Sequence, residues 1–497
     1  MDPFGKLPPE LRVEVFIQLR SKPFILELLA ASPIMLQQYV THKSYITQAI
    51  LGSDLDGDMV QDAMCILLFP RGDPNAPGLS CPAHDVLVER HLVAWAAQRL
   101  PNPLQTPNNS KLLYQLERLH SRLILFIEDY LTKATAVFPP RAYLCLPDRS
   151  VQSHLAFKGR RIATRCDATL LTSEERIRFL RAFLLFELMC KDSRVRWHQY
   201  FSEWLDERPS YKCRNRMHKP SEREAIRCVH SYVKSLYAAL FAHAVDDAWL
   251  PDIPPRCSTY ATGLLYPDSF HVSSDFYAHD MDQGRDFSWA LGKLARLGLD
   301  PVATFTQAAT LGRQGRERLR DCLWGFSKKR QVFVASTGPF RGHSSLYLGE
   351  RSEDEKTQFD EQGPGLYTML HPRTARFRGV QREIYRQRAW AFLDDDRLYP
   401  AASPLPPLPT WDELGEQCDK NQHVEGWFEE PSQTRALRRS QKWHDAQASE
   451  ASCTQPTAQK SDEPESRPGP EPGVDGQHVR LPSTLAECSL GIRPFWH

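Results

Sequence analysis

Phe4-Gly5-Lys6-Leu7-Pro8-Pro9-Glu10-Leu11-Arg12-Val13-Glu14-Val15-Phe16-Ile17-Gln18-Leu19-Arg20 is the stretch from which the fold reads outward. Leu11, Val15, Phe16 and Leu19 recur at helical spacing, which predicts a helix over 12–20. Pro8 and Pro9 suit a first turn, whose backbone N–H groups have no intrahelical partner, and Glu10 complements the positive helix start. Lys22-Pro23 closes that helix and opens a second over 24–31, carrying Ile25, Leu26, Leu28 and Leu29. Ser32-Pro33 supplies an N-cap and a first-turn proline for a third helix over 34–51. Three short helices punctuated by proline therefore form a unit over residues 1–51, with apolar surface to spare.

The residues Leu7, Pro8, Glu10 and Leu11, the apolar Val15, Phe16 and Leu19, and the helix from Pro23 to Leu29 make this unit resemble an F-box. The resemblance is to the F-box-like domain-containing proteins of filamentous fungi. It departs from better-conserved F-boxes in the third helix, where Gln37, Gln38, Tyr39 and His42 stand in place of aromatic and arginine residues. A second anchor of the same resemblance is the block from Tyr385 to Pro400, with Trp390, Phe392, Asp394, Asp395 and Asp396. The resemblance implies a non-catalytic substrate receptor. Leu7, Pro8, Pro9, Leu11, Val15, Leu19, Leu26 and Leu29 would dock on the Skp-type adaptor of an SCF ubiquitin ligase, while the rest of the chain holds a protein target. Read without the resemblance, the same unit is an N-terminal helical subdomain packed on the remainder.

The chain has 497 residues, 41% hydrophobic and 25% charged, which suits a large buried core. Lys and Arg number 62 against 61 Asp and Glu. That balance gives no reason to expect nucleic acid or an anionic membrane as a partner. No basic and then apolar N-terminal run reads as a secretory signal, and no apolar run approaches the ~18–20 residues needed to cross a bilayer. The 12 cysteines are scattered, as reduced thiols are. A cytoplasmic or nuclear location is expected.

Residues 52–400 read as a mainly helical domain. Helices are predicted over 58–69, 84–100 and 111–131, the last with Leu112, Leu116, Leu119, Leu123, Phe126, Ile127 and Tyr130 in one stripe. Thr172 with Glu175 and Ser221 with Glu224 read as capping boxes for two more helices. Further helices are expected over 287–297, 300–312, 316–324 and 382–393. Residues 138–161 read as irregular, and 331–336 as a plausible strand. From Ala401 the composition shifts, since 12 of the 38 prolines fall in the last 97 residues. Between Ser449 and Gly473 no large apolar residue occurs, so a largely disordered tail is expected over 401–497.

Residues that could carry chemistry have plainer readings. Asp54, Asp56 and Asp58 suggest a calcium loop, but Met59 and Cys65 occupy the positions that need glycine and a carboxylate; a turn and helix N-cap account for the aspartates. Gly338 to Ser344 lacks the lysine and spacing of a phosphate loop. His271, His279, Asp280 and Asp282 could supply metal ligands without a second pair at helical spacing to support them. His230 and His243 read as hydrogen-bonded helix histidines. The basic run from Arg313 to Arg330 reads as a solvated helix face with Leu319 and Leu323 packing beneath it. Trp390, Phe392 and Leu393 are expected to close the core, with Asp394 to Asp396 paired locally to arginines. No nucleophile elbow or cysteine signature occurs, so neither catalytic residues nor cofactors are expected. An enzyme site would have to be assembled from the loops at 251–274 and 334–349.

Overall fold

A computed structural model describes residues 2–70, 82–106, 109–136, 139–147, 154–195, 220–244, 279–280, 285–286, 288–310, 312–328 and 384–394. The chain is mainly α-helical. The expected strand at 331–336, the loops at 251–274 and 334–349 and the tail at 401–497 lie outside the described residues.

The first three helices are α1 (Pro9–Leu19), α2 (Lys22–Ala31) and α3 (Pro33–Asp54). Pro9 stands at the first position of α1, where its missing N–H costs nothing. Ser32 caps α3 as expected: its Oγ accepts from the Met35 N–H at 3.2 Å. α3 bends at His42, which has non-helical dihedrals (φ −111°, ψ 16°). Thr41 Oγ1 donates back to the Gln37 carbonyl at 2.9 Å one turn earlier, a bond that commonly bends helices. These helices close on a small core of Val13, Phe16, Ile25, Met35 and Ile46. Phe16 is fully buried, with its ring edge-on to Tyr39 at 5.3 Å.

The larger body follows. α4 (Gly57–Leu67) is capped by Asp56, whose carboxylate accepts from the Met59 N–H at 2.8 Å, so the aspartate-rich stretch is a turn and cap. α5 (Pro82–Ala96) packs on α4, and the Trp95 indole donates to Asp62 at 2.7 Å. α6 (Ser110–Ala134) is the axis of the body; Leu116, Leu123, Phe126 and Tyr130 along its stripe are fully buried. α8 (Ser173–Val195) and α9 (Pro220–Ala244) pack against each other, with α7 (Pro139–Ala142) as a single turn before them. The reciprocal capping box at α8 is present: Glu175 N–H donates to Thr172 Oγ1 at 3.2 Å and Thr172 N–H to Glu175 Oε2 at 2.9 Å. At α9 it is not. The helix already begins at Pro220, and the Glu224 carboxylate binds the Arg386 guanidinium through Nε (2.7 Å) and Nη2 (3.0 Å).

Residues 138–161, read from sequence as irregular, instead hold α7 and the start of a hairpin of β1 (His154–Phe157) and β2 (Arg160–Thr164). Lys158 and Gly159 both have positive φ (46° and 85°), the geometry whose twist suits a two-residue antiparallel turn. Leu155 and Phe157 point inward onto Leu144, Cys145 and Ala242. A second strand pair, β3 (His279–Asp280) with β4 (Arg285–Asp286), is only two residues long. α10 (Ser288–Ala295), α11 (Leu299–Thr310) and α12 (Gly312–Lys328) then pack on or near α9. Leu319 and Leu323 are buried beneath α12, while Arg318 and Arg320 face solvent.

Residues 384–394 seal the body. The expected helix is a single turn at 384–387, ended where Ala389 adopts a left-handed φ of 56°. Phe392 stacks on Phe179 at 4.1 Å, and Trp390 and Leu393 are buried beside it. Polar closure is long-range. Asp394 pairs with Arg178 of α8 at 2.5 Å, and Arg388 donates to the Ala134 and Ala136 carbonyls at 2.9 and 3.0 Å.

Candidate functional site

The docking residues read from sequence all lie on the first three helices, and none is sealed against the body. Leu11 and Leu26 are exposed at 52% and 51%, Pro8 and Pro9 are exposed, and Leu7, Val15, Leu19 and Leu29 are half-buried. The structure brings Val15, Leu19 and Leu29 together at the rim of the small core and leaves Leu11 and Leu26 outside it. The inward row of α1 is Val13 with Phe16, so the helix is rotated from the stripe that would have put Leu11 inside. Spacing alone missed Val13, which lies three residues before Phe16.

The helices also expose Phe24, Leu36, Val40 and Tyr45, at 49%, 45%, 67% and 59%. Leu36 and Val40 are one helical turn apart and share a face of α3. With Leu11 and Leu26, they give all three helices uncovered apolar side chains.

The attachment of this unit to the body is polar and specific. α3 continues out of the small core, and Leu51 near its end joins the large one. Its last residue, Asp54, is a buried hub. Arg176 of α8 donates Nε to Oδ1 at 2.9 Å and Nη2 to Oδ2 at 2.6 Å, and His120 Nε2 of α6 lies 2.8 Å from Oδ2. Burial pushes the Asp54 carboxyl up, but the His120 and Arg176 hydrogen bonds and charges outweigh it and hold the pKa at about 2. Arg20, ending α1, reaches the same carboxylate only at 3.9 Å. Ser21 Oγ donates to Asp167 Oδ2 at 2.8 Å, a second tie across the junction. Beside the hub lies a cleft of about 410 Å³, lined on one side by Leu19, Arg20 and Phe24 and on the other by Thr169, Leu171 and Arg176.

The body holds its own charged cluster. Lys133 is fully buried with Nζ 2.6 Å from Asp129 Oδ2, and the Tyr232 hydroxyl donates to the same oxygen at 2.6 Å. The ammonium also lies 5.6 Å from the Tyr232 ring centroid and 6.0 Å from that of Tyr143. Burial, with Asp129 beside it, pushes the Tyr232 hydroxyl well above its usual pKa, so it stays a donor. Burial likewise pushes the Cys145 thiol up to about 12, outside the range of a reactive thiolate. His243 donates from Nε2 to the Leu144 carbonyl at 2.9 Å, the role expected of a helix histidine.

Among the described residues no group of three or more His, Cys, Asp and Glu side chains gathers as a metal site. His279 and Asp280 stand in β3, while His271 and Asp282 lie outside the described residues. No described helix is long and apolar enough to cross a membrane. Comparison of the chain with protein-family profiles, curated proteins and solved structures finds no match.

Proposed function

We propose that the protein is a non-catalytic F-box-like substrate receptor, linking a protein target to an SCF-type ubiquitin ligase through a Skp-type adaptor. The observation that carries this reading is the exposure of Leu11 and Leu26 on a unit that already has a complete small core. Apolar side chains not needed for that core are free to anchor a partner, and a few such anchors supply most of the energy of an interface. Half-buried Leu7, Val15, Leu19 and Leu29 would form the rim of the same contact, with Pro8 and Pro9 fixing the approach of the chain. The helical body would then present the target.

The test is co-purification with the Skp-type adaptor, wild type beside a Leu7→Asp/Leu11→Asp variant whose folding is checked by circular dichroism. A stoichiometric complex that the folded variant loses supports the receptor reading. Failure of the wild type to bind removes it.

A second reading has its own observation. The continuation of α3 into the large core, locked by the buried Asp54 hub, is what a scaffold needs when its first helices serve only to extend the body. On that reading the protein is a helical interaction protein that has lost adaptor binding, and the wild type would purify alone.

A further inference from the structure

The cleft beside the Asp54 hub has a cation to spare. Both carboxylate oxygens of Asp54 are already engaged, Oδ1 by Arg176 Nε and Oδ2 by Arg176 Nη2 and His120 Nε2. Arg20 stands 3.9 Å from Oδ1, beyond hydrogen-bonding distance, and its side chain keeps 34% of its surface exposed. Two guanidinium groups and an imidazole therefore surround one carboxylate, and Arg20, on the cleft wall, is the one that makes no hydrogen bond to it among the described residues. Among the described residues Arg20 makes no ion pair with the nearby Asp167, whose oxygens accept from the Ser21 hydroxyl and the Thr169 N–H.

Arg20 is also held in an uncommon backbone state. It ends α1 with φ 48° and ψ −24°, the left-handed region where glycine is the usual residue. A bulky residue kept at such a position is a pointer to use of its side chain. Around the guanidinium the walls are mixed: Leu19 and Phe24 on one side and Leu171 on the other are apolar, while Gln18, Thr169 and Ser173 add polar groups. The volume, about 410 Å³, lies within the ~300–1,000 Å³ typical of ligand sites.

We propose that this cleft captures an acidic segment of a partner protein, with Arg20 pairing one carboxylate and Leu19, Phe24 and Leu171 receiving a neighbouring apolar side chain. A planar guanidinium matches a carboxylate in two parallel hydrogen bonds, and Leu19, Phe24 and Leu171 offer an apolar patch beside it. The site spans the junction, so an occupant would touch the first helices and the body at once. The cleft shares Leu19 with the proposed adaptor contact, but Arg20 is not a docking residue, so Arg20→Gly and Leu7→Asp/Leu11→Asp test the two separately.

The experiment is an arrayed library of hexapeptides, each with one Asp or Glu beside Phe, Trp, Leu or Ile, and a matched set with Asn or Gln in place of the acid. The full chain is the probe. Wild type should retain acidic members about tenfold better than their neutral partners, the size of one charge-assisted hydrogen bond. Arg20→Gly should erase that preference while keeping the fold, since glycine suits the left-handed backbone, and Arg20→Lys should keep part of it. Equal retention of acidic and neutral peptides by wild type would overturn the proposal, as would a preference that survives Arg20→Gly. Binding of inorganic phosphate without any preference among peptides would mark a free-anion site and overturn it too.

Discussion

The first three helices and the body behind them both have apolar helix faces to cover, with very different amounts of chain. The body places fully buried residues from α4, α6, α8, α9 and the 384–394 segment in one core, and can afford ions inside it: Lys133 and Asp129, Asp54 and Arg176, and Arg388 on two carbonyls. The small unit has five buried apolar residues in its core and leaves six large ones at 45% exposure or more. A small core cannot envelop three helices, because surface grows relative to volume as a unit shrinks. The body is thus held by burial and internal ion pairs. The unit is held by a few contacts and keeps apolar surface that something else can use.

The largest expected effect tests the body. Lys133→Met removes the one cation that pairs with the buried Asp129 among the described residues, leaving that carboxylate the Tyr232 hydroxyl. A buried ion stripped of its partner costs about 3–5 kcal/mol, whereas replacing both partners with apolar residues is far milder. The urea midpoint should therefore drop sharply for Lys133→Met and largely recover in Lys133→Met/Asp129→Leu. A single variant as stable as wild type would mean the ion pair contributes nothing.

Phe16→Ala tests the small core by the same logic. Phe16 is fully buried at its centre, and truncating such a ring costs about 3–4 kcal/mol in transfer and cavity energy. If the two regions are separate cooperative units, amide exchange should accelerate across residues 9–50 while α6, α8 and α9 keep their protection. Equal loss in both would show that α3 and Asp54 fuse them into one unit.

Acid should weaken the body next. Burial pushes His243 down to about 4 from 6.5, with the Leu144 carbonyl pulling the other way. Between pH 6.5 and 4 the unfolded chain takes up a proton that the folded one refuses. This contribution is therefore complete above pH 6.5, falls as the pH drops through that window, and is gone below it. Its full size is on the order of 3 kcal/mol. Asp54 adds a similar loss, on the order of 2 kcal/mol, as the pH falls from 3.8 to about 2. Urea midpoints at pH 7 and 4.5 should differ less in His243→Gln than in wild type; an identical difference would remove His243 from the account.

These contrasts also explain what could be read from the chain beforehand. Proline and serine punctuation located the first three helices because it acts locally: Ser32 caps and Pro33 begins α3 whatever lies around them. The Thr172–Glu175 box read correctly for the same reason. Ser221 and Glu224 have the same spacing, yet Glu224 goes to Arg386, 162 residues away, and no local rule sees that partner. The hairpin at 154–164 was hidden because Lys158-Gly159 is a weaker turn signal than Asn-Gly, although the alternation of Leu155 and Phe157 was there to be found. The Asp54 hub was hidden for the reason Glu224 was. Its aspartate belongs to a suggestive local run, but its partners lie 66 and 122 residues on.

The smallest expected effect bears most directly on function. Leu11→Asp/Leu26→Asp places charge at two positions that are half open to water, on helices whose core lies elsewhere. Substitutions on such surface usually shift stability by less than about 0.5 kcal/mol. The urea midpoint should therefore stay near that of wild type, and the tendency of the wild type to self-associate at high concentration should fall as exposed apolar surface is lost. A drop of more than about 2 kcal/mol would sink the contrast drawn between the two regions, because losses of that size come from buried sites. Leu11 and Leu26 would then belong to the core in solution, and no free apolar face would remain on the first helices for a partner to grip.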